Sequence, residues 1–452
     1  MERIGQLAGA VALALAAGAA LAADAPAPAR PANLPPPITD ADYAPVRLDE
    51  AKLGQLLFYD PILSGNREVS CATCHNPAFG TSDGVSLGIG DGGKGLGPAR
   101  VADPENMPEQ RVPRNAQALF NLGAKEFTVL FADGRIEADP SKPSGLRTPL
   151  DDDMVQGFAS VLSAQAMFPE VSPDEMAGHY QENEISTVVR QGIFTGPGGA
   201  WDLIARRVAA IPAYVSQFEA VYPDKVHGAG DIAFTDISNA IAAFVAYEWR
   251  ADASPFDAYL RGTGTLDPAQ TRGMGLFYGE AGCSACHSGK FQSDQAFHAM
   301  GMPQFGPGKG ARFETTVRDE GRYRVTGRPE DLYAFRTPSL RNVTETGPWG
   351  HDGAYRDLAA FVRAHADPVA ALADYDRSQA ILPALPVKDW TAMDNPDEVA
   401  AIAAAVKVTP VKLSDAQVAD IVAFLGALDD PGVSRLGVPD AVPSGLTVAR
   451  KD

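Results

Sequence analysis

Two short motifs in the sequence combine residue types that can hold an iron centre covalently. Each is a Cys-x-x-Cys-His pattern, in which two thiols add to the vinyl groups of a haem and the adjacent histidine becomes the proximal ligand of the iron. The two patterns are formed by Cys71, Cys74 and His75 and by Cys283, Cys286 and His287. They use every cysteine of the chain. The spacing therefore predicts two covalently attached c-type haems.

Three other uses of four cysteines fit the pattern less well. A thioredoxin-like redox pair does not require a histidine after the second cysteine, and here that histidine occurs twice. A zinc site built from all four thiolates would leave both histidines without a role. A disulfide within each motif would strain a loop of two residues. Haem attachment uses all six residues, so it is the favoured interpretation.

The other possible iron ligands are distributed unevenly along the chain. No histidine lies between His75 and His179, and the nearby Met107 lies in a polar loop. The second half is richer in candidate ligands. They are His298, Met300, Met302, His351 and His365. An iron with an open sixth position can bind peroxide or oxygen, whereas a six-coordinate iron transfers electrons. The first haem is therefore predicted to be the reactive one.

Similar elements surround both motifs, which indicates an internal repeat. A short amphipathic helix is predicted before each motif, over residues 52–59 and 272–278. Each half is predicted to close with a second helix, capped by Thr235 in the first half and by Ser414 in the second, with apolar residues at the 3.6-residue period. Strand-like alternation is scarce. The sequence thus predicts a mainly α fold with long loops.

The start of the chain predicts export. Residues 4–22 form an apolar, Ala-rich run that ends in small residues, and this favours a cleaved signal peptide over residues 1–22 rather than a membrane anchor. Residues 23–46 are rich in Ala and Pro, which is typical of an extended linker. We therefore expect a periplasmic protein without a stable membrane span. Its predicted domains cover residues 47–262 and 263–430, and a tail without a structural signal covers residues 431–452.

Composition and charge limit the classes of function. The chain has 452 residues, of which 45% are hydrophobic and 21% are charged, as in a globular protein with a sizeable core. There are 57 acidic and 38 basic residues, so the formal net charge is −19. This charge disfavours binding to nucleic acid or to an anionic membrane, and it favours a basic protein partner.

A Gly-rich segment over residues 84–97 formally matches Gly-x-Gly-x-x-Gly. It nearly matches a phosphate-binding loop as well, but Lys94 is followed by Gly95 where that loop has Ser or Thr. Neither match follows a predicted strand and opens a helix. The segment is therefore predicted to be a mobile loop beside the first haem.

Five further motifs accompany the haem-attachment patterns. They are Leu-Phe-Tyr-Asp-Pro at 57–61, Pro-Arg-Asn at 113–115, Asp-Gly-Arg at 133–135, Thr-Pro-Ser-Leu-Arg-Asn-Val at 337–343 and Pro-Trp-Gly-His-Asp-Gly at 348–353. In this combination, the chain resembles the bacterial di-haem cytochrome c peroxidase family, which includes the methylamine-utilisation enzyme MauG. The resemblance implies two cytochrome c-like domains, each carrying one covalent haem, with a calcium ion between them. It implies that Asn115 binds this ion through its side chain, and Thr346 and Pro348 through their carbonyl oxygens.

The resemblance also implies a set of residues on the distal side of the peroxidatic haem. The family has a Gln, a Pro four residues later and a Glu ten residues after the Gln, and Gln165, Pro169 and Glu175 reproduce these intervals. A carboxyl group above the iron can move a proton between the oxygens of hydrogen peroxide, while an amide orients the bound ligand. Without the resemblance, both polar residues would be interpreted as helix caps or solvated side chains.

Three positions depart from the family pattern. The chain has no histidine where many members hold one that ligates the peroxidatic haem, and in this it resembles MauG. His365 occupies the position of the Met or Tyr that completes the second haem, which predicts bis-histidine ligation by His287 and His365 in preference to Met300, Met302 or no ligand. Ala132 stands where the family has a Trp between the haems. Residues 136–161 form an insertion relative to short members.

Three functions follow from these observations. The first is a periplasmic peroxidase that reduces hydrogen peroxide with electrons from a small cytochrome or copper protein. The second performs the same peroxide step but oxidises side chains of a protein substrate. The third is a di-haem electron carrier without catalysis. Family members often form homodimers, although no residue pattern here establishes a dimer.

Overall fold

The computed structural model describes residues 31–310, 314 and 317–451. The predicted signal peptide over residues 1–22, and residues 23–30 of the predicted linker, lie outside the described residues. The described part is rich in α-helices. These are α1 (Leu48–Tyr59), α2 (Cys71–Cys74), α3 (Val161–Gln165), α4 (Glu184–Arg190), α5 (Ala200–Ala209), α6 (Pro212–Val221), α7 (Phe234–Glu248), α8 (Pro255–Leu260), α9 (Pro268–Phe277), α10 (Tyr323–Thr326), α11 (Leu358–Ala366), α12 (Pro368–Ala373), α13 (Pro396–Ala405) and α14 (Asp415–Gly426).

Strands are few and short, so the prediction of a mainly α fold is confirmed. They are β1 (Gly93–Lys94), β2 (Val101–Ala102), β3 (Val129–Leu130), β4 (Ile136–Ala138), β5 (Leu146–Arg147), β6 (Phe297–His298) and β7 (Phe335–Arg336). They form three antiparallel sheets with the orders β1-β2, β3-β4-β5 and β6-β7. In the central sheet Glu137 pairs with Val129 on one side and with Arg147 on the other. The predicted insertion over residues 136–161 therefore contributes β4 and β5, two of the three strands of this sheet.

The internal repeat is visible as two equivalent pairs of helices. Helix α1 packs against α7, and α9 packs against α14. At each crossing the helix before the haem motif presents a glycine. A Cβ atom would lie 1.7 Å from the carbonyl oxygen of Ala240 at Gly54, and 1.8 Å from that of Asp420 at Gly273. Each pair therefore meets through its main chain, and this contact fixes where the following haem motif begins.

One predicted helix cap is confirmed and another is wrong. Ser414 caps α14 by accepting a hydrogen bond from the Gln417 amide at 3.3 Å. Helix α7 instead begins at Phe234, so Thr235 lies inside its first turn, where it is buried. The carboxylate of Asp236 accepts a hydrogen bond from the Ala233 amide at 3.0 Å and closes this end.

Both ends of the described chain are packed rather than free. In the segment predicted as a linker, Ile38 is buried, and Asn33 donates a hydrogen bond to the Tyr278 carbonyl at 3.1 Å. In the C-terminal segment, Val433 and Val442 join the hydrophobic core of the first half. The carboxylate of Glu248, at the end of α7, accepts hydrogen bonds from the side chain or main chain of four consecutive residues, 434–437. The C-terminal segment is thus bound to the first half, without a helix or strand in its described residues.

The Gly-rich segment is a loop, as predicted, but it is not an exposed mobile one. Leu87 and Ile89 within it are completely buried. Gly90 contacts the segment around residue 175 so closely that a Cβ atom would lie 2.2 Å from the carbonyl oxygen of Asp174. The glycines therefore serve a close approach of two main chains. In the part of the chain that the structure describes, none of the helices has the length and apolar character that a membrane crossing requires.

Candidate haem cavity

Both haem-attachment motifs line one cavity, whose volume is about 610 Å³. Each motif begins in a short helical turn, α2 in the first half and the 3₁₀ turn Cys283–Ala285 in the second. All four cysteines are partly buried, and none of them is in a disulfide. Most of the wall is apolar. The cavity thus brings together the six residues that the sequence motifs single out.

The two motif histidines make equivalent contacts through their Nδ1 atoms. The Nδ1 atom of His75 lies 3.1 Å from the carbonyl oxygen of Thr81, and that of His287 lies 3.0 Å from the carbonyl oxygen of Gln292. A hydrogen bond from Nδ1–H to a carbonyl fixes the tautomer in which Nε2 can bind a metal. Burial lowers the pKa of both imidazoles, that of His287 to about 4. Both rings are therefore neutral, as iron ligation requires.

His365 has the features of a third haem ligand. It lies on α11, where its Nδ1 atom is 3.0 Å from the carbonyl oxygen of Phe361, and it lines the cavity. Burial lowers its pKa, and it is near enough to His287 to contribute to the low pKa of that residue. The arrangement repeats that of the two motif histidines. It brings together the two imidazoles that the sequence assigns to the second haem.

The other candidate ligands of the second half have different surroundings, and Met300 lines the cavity. The Nε2 atom of His298 lies 2.8 Å from the Asp294 carboxylate. Met302 lines the cavity but packs in a hydrophobic cluster with Phe305. His351 stacks on Phe335, with ring centroids 3.8 Å apart. Of these candidates, His365 is the one that lies on an α-helix and repeats the Nδ1-to-carbonyl contact of the two motif histidines.

Gln165, Pro169 and Glu175 line the same cavity as His75. Gln165 ends α3, which begins at a cap formed by Ser160, and its Oε1 atom is buried without a hydrogen-bond partner. Glu175 lies in the π-helical turn Pro173–Ala177. Burial raises the pKa of Glu175, while the positive charges of Lys309 and Arg135 oppose this rise. The structure therefore assembles an amide and a carboxyl group on the cavity wall of the first half.

The first half offers few alternatives for a sixth ligand. Among the described residues of this half, His75 is the one histidine on the cavity wall. The side chain of Met107 is 46% exposed, which excludes it as a ligand in this conformation. Met176 lines the cavity and is part of the first hydrophobic core.

Asn115, Thr346 and Pro348, which the family resemblance connects with calcium, also line the cavity. The amide nitrogen of Asn115 donates a hydrogen bond to the Val85 carbonyl at 2.8 Å, so its Oδ1 atom is directed elsewhere. Its main-chain N–H donates to the His351 carbonyl at 2.9 Å, which connects the two halves of the chain. A side-chain amide and two carbonyls form an oxygen-only donor set, and such a set suits a hard cation.

The polar atoms of the cavity fit haem. Gln165 Oε1 and both ring nitrogens of His351 are buried without a protein partner. Such orphan atoms are costly unless a ligand or water satisfies them. A haem supplies propionate oxygens and an iron-bound ligand as partners, and its macrocycle suits the apolar wall.

One residue of this site was not predicted from the sequence. Lys309 lines the cavity and its charge interacts with that of Glu175, although it comes from the other half of the chain. The neighbouring glycines at 306, 308 and 310 predict a tight loop around Lys309, and they are the one feature of the sequence that could have indicated it.

A helix-rich fold and a cavity with two Cys-x-x-Cys-His motifs define a protein with two c-type haem sites. The sequence profile described as di-haem cytochrome c peroxidase matches residues 49–265. The MauG protein of Methylorubrum extorquens is 30% identical over 335 residues, which cover 73% of this chain and 71% of that protein. The cytochrome c551 peroxidase of Pseudomonas aeruginosa is 30% identical over 326 residues, covering 72% and 74% respectively. The chain therefore belongs to the di-haem cytochrome c peroxidase family. It is an oxidoreductase of the cytochrome c peroxidase type.

Solved structures agree with this assignment. A MauG-like protein associated with microbial copper homeostasis is 25% identical, with a TM-score of 0.54 over 90% of this chain and 97% of that one. The di-haem peroxidase BthA of Burkholderia thailandensis shares the fold, with a TM-score of 0.58 at 19% identity, over 93% and 97%. The family is defined by two c-type haems in each protein, and this chain has both of the attachment motifs that they require.

Proposed function

We propose that this chain is a periplasmic peroxidase in which the two haems have different tasks. The haem held by Cys71, Cys74 and His75 reduces hydrogen peroxide, and the haem of His287 relays electrons to it. The two cytochrome c-like domains cover residues 47–262 and 263–430. The signal peptide over residues 1–22 directs the chain to the periplasm.

One observation carries this proposal: the cavity-lining residues that accompany the two motif histidines differ between the two halves. The first side presents Gln165 and Glu175, which can handle a ligand and a proton. The second presents His365, whose imidazole is oriented as a metal ligand. A haem iron with a vacant sixth position can react with peroxide, whereas a six-coordinate iron transfers electrons. Two such haems in one protein would divide these tasks.

The residues of the first side have defined parts in the reaction. When bound, the haem supplies the iron at which the O–O bond of hydrogen peroxide is broken. Glu175 accepts a proton from the incoming peroxide and returns it to the oxygen that leaves as water. Gln165 donates a hydrogen bond that orients the peroxide, and Pro169 limits the space beside it. Two electrons and two protons in all convert one hydrogen peroxide to two waters.

Electrons reach the first side by a route that does not use a tryptophan at position 132. The position is Ala132, and its carbonyl accepts a hydrogen bond from the Arg336 amide at 2.8 Å. The aromatic side chains of Phe131, Phe335 and Trp349 line the cavity around it. We propose that the route uses Trp349 or direct contact of the haem edges. The donor is a small basic cytochrome or copper protein, which the net charge of −19 would attract.

A calcium ion completes the proposal. It is bound by the side-chain oxygen of Asn115 and the main-chain oxygens of Thr346 and Pro348, with waters in the remaining positions. Asn115 belongs to the first half of the chain, and Thr346 and Pro348 belong to the second. The ion would therefore link the two halves and fix the position of one haem site relative to the other.

Oxidation of a protein substrate is a second candidate. The chain is 25% identical over nearly its whole length to the MauG-like protein associated with copper homeostasis. It also has no described first-half histidine other than His75 on the cavity wall, so the first haem needs no reductive release of a ligand. The peroxide step is the same in both candidates, and only the electron source differs.

The test is an electron paramagnetic resonance spectrum of the ferric holoprotein before and after peroxide. We expect one high-spin and one low-spin haem, and we expect peroxide to abolish the high-spin signal. Two low-spin signals that peroxide leaves unchanged would refute the proposal. Turnover with reduced cytochrome c would then be compared with oxidation of proteins encoded beside this gene. Faster oxidation of such a protein would favour the second candidate.

A further inference from the structure

Three cationic side chains, Arg114, Arg135 and Lys309, line the haem cavity and act on one another's charge. Arg114 is paired with Asp319 and Asp133, each at 2.7 Å. Arg135 lies 2.9 Å from Asp133 and stacks over the ring of Phe131 at 3.6 Å. Both guanidinium groups are therefore held by carboxylates.

The third cation, Lys309, is different. Within the residues that the structure describes, no carboxylate lies within ion-pair distance of its ammonium group. It is partly buried and lines the haem cavity. The groups that act on its charge are Arg114, Arg135, Asp133 and Glu175. Burial and the two arginines lower its pKa to about 8, which leaves it mainly protonated at neutral pH. It is thus a positive charge that faces the cavity rather than an ion-pair partner.

The loop that carries Lys309 is fixed on both sides. The Gly306 amide donates a hydrogen bond to the Asp389 carbonyl at 2.7 Å, and the Lys309 amide donates to the Arg318 carbonyl at 3.3 Å. Gly306 and Gly308 both have a positive φ, which other residues rarely adopt. A Cβ atom on Gly306 would lie 2.2 Å from the Leu87 side chain. The loop is therefore seated against the Gly-rich loop of the first half.

The same Gly-rich loop also supports Glu175. A Cβ atom on Gly90 would lie 2.6 Å from the carbonyl oxygen of Glu175, and the Asp91 amide donates a hydrogen bond to the Asp174 carbonyl at 3.3 Å. Lys309 and Glu175 are thus positioned from opposite sides of one buried loop. Their charges interact, since each shifts the pKa of the other.

We propose that Lys309 is the distal cation of the peroxide pocket, where its ammonium group stabilises the negative charge of Glu175 and of the peroxide oxygen that leaves. This inference rests on the proposed function. Burial raises the pKa of Glu175 and so favours the neutral form, which cannot accept the peroxide proton, and a nearby ammonium opposes that effect. When the O–O bond breaks, charge develops on the departing oxygen until Glu175 returns the proton. A fixed positive charge near this oxygen lowers the free energy of the transition state for O–O cleavage.

The test compares three variants of the holoprotein with the parent. Lys309→Met removes the charge, Lys309→Gln removes it but keeps a polar side chain, and Lys309→Arg keeps the charge. Lys52→Met, at an exposed lysine of α1, is the matched control. Haem content and the absorption spectrum verify that each variant folds and holds both haems.

Two measurements are made on each protein. The affinity of the ferric protein for fluoride reports the positive charge in the pocket without any turnover. We expect Lys309→Met and Lys309→Gln to weaken it by about tenfold, as loss of a charged hydrogen bond implies. The second-order rate of reaction with peroxide should fall by about 10²-fold in the same two variants. Lys52→Met should remain close to the parent in both measurements, and Lys309→Arg, which keeps the charge, should retain more of both than the two neutral variants do.

Three results would contradict part of this account, and they are distinguishable. Parent-like fluoride affinity and peroxide rate in Lys309→Met and Lys309→Gln would overturn the role of Lys309. An equal loss in Lys309→Arg would overturn it as well, because it would show that size rather than charge matters. A parent that binds fluoride in a Lys309-dependent way but does not react with peroxide would support the placed cation and refute the proposed function.

Discussion

Glu175 is the residue on which the proposed chemistry depends most, and Glu175→Gln removes its proton transfer with little change in shape. The side chain is partly buried and lines the same cavity as Gln165. Asp83 is the other carboxyl group on the described cavity wall, and its Oδ1 atom already accepts a hydrogen bond from the Val85 amide at 3.1 Å. A positioned general acid–base group contributes about 10²- to 10⁴-fold to a rate. This range corresponds to about 2.7 to 5.4 kcal/mol of transition-state stabilisation.

The pH dependence has a definite sign. Glu175 must be ionised to accept the peroxide proton, and burial raises its pKa above the ordinary glutamate value. The rate of the peroxide reaction should therefore rise with pH, with a midpoint above about 4.3, the value of an exposed glutamate. In Glu175→Gln this titration should disappear along with most of the rate. Stopped-flow mixing of the ferric holoprotein with peroxide over a pH series measures both effects.

Asp174→Asn is the matched control, because Asp174 precedes Glu175 in the same turn. Its carboxylate accepts a hydrogen bond from the Gln110 side chain at 2.7 Å and does not line the cavity. The control keeps the carboxyl group of Glu175, so its peroxide rate above the Glu175 titration should match that of the parent. Because the charge of Asp174 contributes to the raised pKa of Glu175, the midpoint of the control should shift to lower pH. If Glu175→Gln also matched the parent in rate and pH profile, Glu175 would have no part in the reaction and the reasoning from the cavity wall would fail.

Three further predictions concern the second haem and the frame around the cavity. In His365→Ala the second haem should become high-spin by electron paramagnetic resonance, whereas His298→Ala should leave it low-spin; a low-spin His365→Ala protein would refute the ligand assignment. Gly54→Ala should lower the free energy of unfolding by about 1–3 kcal/mol, because its methyl group would collide with a carbonyl of α7, whereas Gly426→Ala, with open space around it, should be neutral or stabilising in the same thermal melts. In Glu248→Gln the C-terminal segment loses its carboxylate acceptor, and limited trypsin digestion should remove it faster than in the parent; equal digestion would show that apolar packing alone holds it.

The helices that surround the haem motifs could be predicted because each depends on a local pattern in the sequence. The helix before each haem motif and the helix that closes each half follow the apolar period, and both appear where the period places them. The distal residues were found through the family resemblance, because Gln165 and Glu175 reproduce its intervals, and the structure places both on the cavity wall. Local spacing alone would have left both as helix caps or solvated side chains.

Other features could not be predicted because they depend on contacts between distant segments. The Gly-rich loop was expected to be mobile from its composition, but its glycines allow main chains to approach and it is buried. The C-terminal segment has no helical or alternating pattern, yet four consecutive residues bind the buried carboxylate of Glu248. Nothing within the segment itself indicates an acceptor almost two hundred residues earlier.

The buried Gly-rich loop also gives a reason for joining two haem sites in one chain. On one of its sides Leu87 contacts Gly306 in the loop that carries Lys309, and on the other Gly90 contacts the turn that carries Glu175. A change in the second half that shifts residues 306–310 must therefore act on the pocket of the first half, because the loop between them is packed on both sides and cannot absorb it. Separate domains joined only by a linker would lack this coupling. In the proposed function, the proton-handling side of the reaction is thus built partly from the half to which we assign the supply of electrons.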